Sequence, residues 1–264
     1  MSLNAGNLIL IPARSGSTRV KDKNVRRLGD RPLLGHVVDA AAQSRAGRVV
    51  VSTDSSDIAE MARRFGAETP FLRPKDLSHA HASSVWCILH ALEWFGLNEA
   101  WEPEIVAFCP PTNPFLSPTT VARMCEILAQ REDVNSIVTI APANTHPFTI
   151  VRVGEADRLE IGVVAIDGKT ILDIERSQDW PRVWRGSAAC RASRTRFFTG
   201  LRGSKPITAV SYGKTYDIQN AIAYEIDAFE AFDIDDEDDW LMAEHLATAR
   251  RAPSPAHTLT RNVP

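Results

Sequence analysis

A chain of 264 residues, 44% hydrophobic and 24% charged, can bury one large core with room for a small accessory lobe. Its formal net charge of -3 supplies no overall basic surface for a nucleic-acid backbone. No apolar run reaches the roughly 18 residues of a membrane span, and the first residues lack a charged-then-apolar secretory pattern, so the expected setting is the cytoplasm.

In chain order, Asn7-Leu8-Ile9-Leu10-Ile11-Pro12 is a short, continuously apolar run, the pattern of a strand buried on both faces. Leu33, Leu34, Val37, Val38 and Ala41 recur at helical spacing, and 48–52 reads as a second strand. A helix through Ile58 and Phe65 is closed by Gly66, and a short strand is expected at 69–72. Val85, Ile88, Leu89, Leu92 and Phe95 mark the next helix. A strand at 104–109 ends at Pro110-Pro111-Thr112-Asn113-Pro114, and Ser117-Pro118 caps a helix through Gln130. Residues 135–141 close this series as a strand.

From 144 to 213 the pattern breaks into short β-like pieces, which we read as an excursion from the sheet. Trp180, Trp184, Phe197 and Phe198 within it suit either core packing or a sugar or subunit contact. A strand at 222–226 and a helix over 236–250 complete one domain spanning 7–250, and 251–264 reads as a disordered tail. The alternation predicts an α/β, Rossmann-like three-layer α/β/α fold with a largely parallel sheet and a small inserted β-rich lobe. Ligands of such folds bind beyond the carboxyl ends of the strands. Cys87, Cys109, Cys125 and Cys190 are scattered without metal-binding spacing, so neither a disulfide nor zinc is expected. His79 and His81 lack a third ligand and read as a solvated loop.

The chemistry concentrates in the loop after the first strand, residues 12–24. Its Gly and Ser residues can aim backbone N–H groups at one anion, and Arg14, Arg19 and Lys23 add positive charge, which suits a polyphosphate. The loop has neither a Walker A nor a G-x-G-x-x-G pattern. Near the other end, Asp233-Ile234-Asp235 offers two carboxylates at i, i+2 spacing, suited to a hard cation bridging phosphates. Asp235 serves equally as the N-cap of the final helix, whereas Asp233 lies outside it. Asp54 could reach a ribose hydroxyl, although starting the next helix is the simpler role.

Ile11-Pro12-Ala13-Arg14-Ser15-Gly16-Ser17, with Lys23-Asn24 and Pro32-Leu33, resembles the signature of the N-acylneuraminate cytidylyltransferases and, more distantly, the CMP-Kdo synthetases. Val51-Ser52-Thr53-Asp54-Ser55, Arg73-Pro74, Ala82-Ser83-Ser84, Pro111-Thr112-Asn113-Pro114 and Asp233-Ile234-Asp235 follow in the same order. The resemblance implies transfer of CMP from CTP to a nine-carbon acidic sugar, with Arg14 and Lys23 on the triphosphate and Asn24 on the nucleotide. It further implies backbone donors at Ala13, Ser15 and Gly16, and places Arg73 and Ser83 near the base and ribose. Thr112, Asn113 and Arg185 would face the sugar, Asp233 and Asp235 would bind Mg2+, and the excursion would complete a homodimer. Arg176 and Arg182 are further candidates for a substrate carboxylate. Pro110, Leu116 and Ala80 stand where the resemblance expects glutamine, arginine and aspartate. These departures fall on the sugar side, so sialic, legionaminic-like, pseudaminic-like and Kdo-like acceptors all stay open. A metal-dependent glycosyltransferase and a non-catalytic nucleotide-sugar binder are the alternatives.

Overall fold

The computed structural model describes residues 6–79, 82–161, 165–200 and 215–249. The expected disordered tail, His81, Ala80 and all of 201–213 lie outside the described residues. Strand β1 (Asn7–Pro12) leads through a short hairpin, β2 (Arg27–Leu28) and β3 (Arg31–Pro32), into helix α1 (Leu33–Ser44). There follow β4 (Arg48–Ser52), α2 (Ser56–Arg64), α3 (Ser84–Asn98), β5 (Ile105–Phe108), α4 (Pro118–Gln130) and β6 (Ser136–Pro142). A separate hairpin, β7 (Val151–Val153) and β8 (Leu159–Ile161), precedes β9 (Trp184–Arg194), α5 (Thr195–Thr199), β10 (Ala221–Glu225) and α6 (Glu237–Ala249).

The main sheet has the order β10-β6-β9-β5-β1-β4. Only β9 runs antiparallel to its neighbours, β5 and β6; the other pairings are parallel. Period-2 alternation sorts the apolar run of β1 between two layers. Ile9 and Ile11 pack with Val37 and Val38 of α1 and with Val121 and Met124 of α4. Leu8 and Leu10 pack with Val85, Ile88, Leu92 and Phe95 of α3. A third cluster joins Val20, Leu28, Phe115, Ile234 and Trp240, all buried, and so ties the loop after β1 to α6. Burying side chains of this size stabilises by roughly 1.5–3 kcal/mol each. Arg26 stacks over Trp240 at 4.2 Å and pairs with Glu237, adding to the same junction.

Two expectations change. The strand expected at 69–72 reduces to a single bridge between Val50 and Glu68, because Pro70 has no N–H to continue the ladder. The excursion expected over 144–213 is interrupted by β9, an interior strand. Its sequence, WRGSAACRASR, contains no β-branched residue, which is why periodicity misses it. Its centre is small and buried, with Ala189, Cys190 and Ala192 fully covered, and this lets α4 pack closely over it. Arg194 ends the strand with its guanidinium buried against the carbonyls of Leu128 at 2.5 Å, Arg131 at 3.1 Å and Val134 at 3.2 Å, tying the end of α4 and the turn after it to the sheet. Phe198 is fully buried in the α3 layer, whereas Trp184 stays 41% exposed. What leaves the sheet is the β7–β8 hairpin and the turns around it.

Candidate active site

β1 lies between β5 and β4, and the chain passes from one side of it to the other after β4. A crevice at the carboxyl ends of β1 and β5 follows from that reversal. A cleft of about 350 Å³ occupies the place, lined by Pro12 at the end of β1, Pro110, Pro111 and Thr112 after β5, and the loop residues Arg14, Ser17, Thr18, Arg19 and Lys23. Asn24, Arg73, Leu77, His79, Ala82, Ser84, Cys87 and Asp235 complete the wall.

Segments far apart in the sequence meet here. Lys23 Nζ donates to the carbonyl of Ile234 at 2.7 Å, and the Ile234 N–H donates to the carbonyl of Thr112 at 2.9 Å. Asn113 Nδ2 donates to the carbonyl of Phe232 at 2.9 Å. The turn at 232–235 is therefore stapled to the loop after β1 and to the loop after β5, above the Val20–Ile234–Trp240 cluster. Across the mouth, Arg19 Nη1 lies 3.0 Å from Asp235 Oδ1.

Burial sets the electrostatics. It pushes the Lys23 ammonium below its ordinary pKa; Asp235 and Asp233 partly offset this, and Arg19 and Arg14 add to the lowering. Burial likewise pushes the Asp233 carboxyl up, and Asp235 pushes it further, against hydrogen bonding from Thr112 and the charge of Lys23. Asp233 Oδ1 is buried and accepts no hydrogen bond within the protein. An orphaned, desolvated carboxylate oxygen beside a second carboxylate suits a hard cation. No group of three or more potential His, Cys, Asp or Glu ligands occurs among the described residues, so Asp233 and Asp235 would need phosphate oxygens or water to complete a shell.

Of the residues expected from sequence, Arg14, Lys23, Asn24, Arg73, Thr112 and Asp235 line the cleft. Asp233 stands within electrostatic reach of Lys23. Arg73 is buried, with Nε on Ser78 Oγ at 3.0 Å and Nη1 on Cys87 Sγ at 2.8 Å. Asn24 Nδ2 donates to the Arg14 carbonyl at 2.8 Å, bracing the loop from below. Others are placed differently. The Ala13 N–H donates to the Ser52 carbonyl, and Ser15 gives both its N–H, at 2.8 Å, and its hydroxyl, at 2.6 Å, to Asp54. Neither backbone donor is then available to a phosphate, and Gly16 is exposed outside the cleft wall. Asn113 is fully buried and structural.

Ser83 is the N-cap residue of α3, its hydroxyl buried without a partner. Arg185 lies outside the cleft, with Nη2 on the Ala231 carbonyl at 3.2 Å and Nε buried and unpaired. Arg182 pairs with Glu225 and Arg176 with Asp179. Asp235 does not cap α6: Asp236 accepts the Asp239 N–H at 2.9 Å, one position later. Nor does Asp54 start α2, since Ser55 accepts the Ile58 N–H. Sequence reasoning missed Thr18, Leu77, His79 and Cys87 as cleft walls; His79 reads from sequence as a solvated loop and Cys87 as a buried hydrophobe, and only the fold brings them to the cleft. All four cysteines are free and buried, and no helix among the described residues is long and apolar enough to cross a membrane.

Comparison with known proteins adds to this geometry. The model of the family described as "Cytidylyltransferase" matches residues 8–175. The chain is 35% identical over 141 residues to the CMP-N,N'-diacetyllegionaminic acid synthase of Legionella pneumophila, covering 53% of this chain and 60% of that protein. It is 34% identical over 146 residues to the N-acylneuraminate cytidylyltransferase of Escherichia coli O18:K1:H7, covering 55% of this chain and 33% of that protein. The chain thus spans three fifths or less of the curated relatives it matches. The structure of CMP:2-keto-3-deoxy-manno-octonic acid synthetase complexed with CTP superposes with a TM-score of 0.66 at 15% identity, over 93% of this chain and 100% of that one, a likeness of fold. The acidic turn at 233–235 lies beyond the family match, so its place in the cleft is known from the geometry alone.

Proposed function

The chain belongs to the cytidylyltransferase family, and on that premise we propose that it transfers CMP from CTP to the anomeric hydroxyl of a 2-keto-3-deoxy nonulosonic-type acid, releasing pyrophosphate. One observation carries the reading: Lys23, from the amino-terminal loop, touches the backbone between two carboxylates 211 positions away, inside a cleft at the sheet's switch point. Cations and carboxylates brought together at one cleft suit a polyphosphate and its counter-ion better than a neutral ligand. The acceptor class takes support from the relatives, named for legionaminic and acylneuraminic acid substrates.

In the reaction, the acceptor oxygen bonds to the α-phosphorus, the α–β bridging bond breaks, pyrophosphate leaves and the hydroxyl proton passes to solvent. No protein nucleophile is required, and the work of the chain is positioning and charge neutralisation. Lys23 and Arg14 hold the triphosphate, and Asn24 keeps the Arg14 backbone in place. Arg73 and Ser83 serve the base and ribose end. Thr112 closes the wall between nucleotide and acceptor, and Arg185, half-buried with Nη2 on the Ala231 carbonyl, is the candidate for the sugar carboxylate. Mg2+ bound by Asp233 and Asp235 would supply additional charge neutralisation at the phosphates. Arg19 then exchanges Asp235 for a phosphate oxygen as the nucleotide enters.

The enzyme acts as a cytoplasmic homodimer in this account. The arm around β7 and β8 exposes Val153 and Leu159, each 69% accessible, and Leu172, 81%, an apolar surface suited to a second copy. Free thiols suit a reducing compartment.

Purified protein supplied with CTP, Mg2+ and a panel of sialic, legionaminic, pseudaminic and Kdo acids tests the proposal. One pyrophosphate per CMP-sugar is expected. Release of a nucleoside diphosphate from a sugar donor would instead indicate a glycosyltransferase, and nucleotide binding without either product a non-catalytic homologue.

A further inference from the structure

We infer that Asp54 is a positioning residue for the nucleotide: it clamps the loop after β1 through Ser15 so that Ser17, Thr18 and Arg19 face the triphosphate. The inference rests on the cytidylyltransferase reading of the cleft. Both oxygens of the carboxylate are engaged, Oδ1 by the Ser15 N–H at 2.8 Å and Oδ2 by the Ser15 hydroxyl at 2.6 Å. Charge-assisted bonds of this length are the strong ones. Partial burial raises the Asp54 carboxyl, but the two bonds from Ser15 outweigh it and hold the group below its ordinary pKa, with Arg73 adding to the lowering.

Topology explains why the clamp sits there. Pro12 and Ser52 are register partners on adjacent parallel strands, and the Ala13 N–H extends that ladder to the Ser52 carbonyl. Ser15 lies two residues beyond Ala13, and Asp54 two beyond Ser52, on the two loops. Beyond them Gly16 takes φ +65°, with open space where a Cβ would stand, and the chain arches outward, touched only by Arg14 on the Gly16 carbonyl and by the Arg19–Asp235 pair among the contacts described, until Val20 enters the core. Ser15 is thus the last fixed point before the arch, and Ser17, Thr18 and Arg19 are the arch residues that line the cleft. Asp54 itself does not line it, and Ser55, not Asp54, caps α2.

Calorimetric binding of CTP, with inorganic tripolyphosphate as a second probe, tests this in Asp54→Ala, Asp54→Asn, Ser15→Ala and the Asp54→Ala/Ser15→Ala pair. Asp54→Ala is expected to weaken both ligands about tenfold to hundredfold, with the acceptor KM unchanged. Asp54→Asn, whose carboxamide oxygen still accepts the Ser15 N–H, should recover most of the loss. Ser15→Ala should cost less than Asp54→Ala and add nothing to it. Wild-type affinity in Asp54→Ala, or additive losses in the pair, would overturn the clamp. If the wild type binds tripolyphosphate but not CTP, the nucleotide reading fails while the clamp is still tested; if it binds neither, both fail.

Discussion

The phosphate end of the cleft and the arm around β7–β8 are built on opposite terms. At the phosphate end several groups are held by contacts from distant parts of the chain: Lys23 by Ile234, Ser15 by Asp54 and Arg19 by Asp235. In the arm, the apolar side chains of Val153, Leu159 and Leu172 are turned to solvent. The first is preorganised within one chain, and in our account the second finds its partner in another copy. Charge neutralisation in a transition state rewards donors that need no rearrangement, whereas an exposed apolar strip contributes only when something covers it.

That contrast can be broken at either end. Lys23→Ala should reduce kcat/KM for CTP on the order of a hundredfold to a thousandfold, because one preorganised donor is lost; steady-state pyrophosphate release checks it, and near wild-type turnover would remove Lys23 from the site. Arg185→Ala should raise KM for the acceptor about tenfold or more, the cost of losing a charge-assisted contact, and leave CTP affinity unchanged. An equal effect on both substrates would make Arg185 structural.

Leu159→Asp tests the arm. Sedimentation should move from dimer toward monomer, with CTP affinity changed less than about twofold because the residue is exposed. An unaltered sedimentation coefficient would mean that the dimer, if formed, uses another face.

The smallest effect concerns stability. Burial raises the Asp233 carboxyl above its unfolded value, so its folding contribution is present below the unfolded pKa and lost as pH rises through the folded one. Asp233→Asn removes that penalty, and melting at neutral pH should rise by about 2 °C, with the gain absent below the unfolded pKa. A lower melting temperature at neutral pH would mean that the charged carboxylate has a partner in the folded protein.

How much of this was legible in the sequence follows from how local each feature is. The run 7–12 announces a buried strand because its unbroken apolar character is visible within six residues, and the cations at 14, 19 and 23 share one loop. β9 is invisible to the same reasoning, since its pairing depends on β5 and β6 accepting small residues between them. The cap of α6 slips by one position because residues 235–239 are uniformly acidic apart from their order, and only geometry picks Asp236. Asp54 reads as a helix start until its contact with Ser15, 39 positions away, is seen.

The central claim is that the basic loop and the acidic turn act on one triphosphate through a shared cation. Titrating CTP with and without Mg2+ into the wild type, Lys23→Ala and Asp233→Asn addresses it directly. The account predicts that Mg2+ strengthens CTP binding to the wild type but not to Asp233→Asn, and that Lys23→Ala binds weakly under both conditions. Equal strengthening by Mg2+ in Asp233→Asn would contradict it.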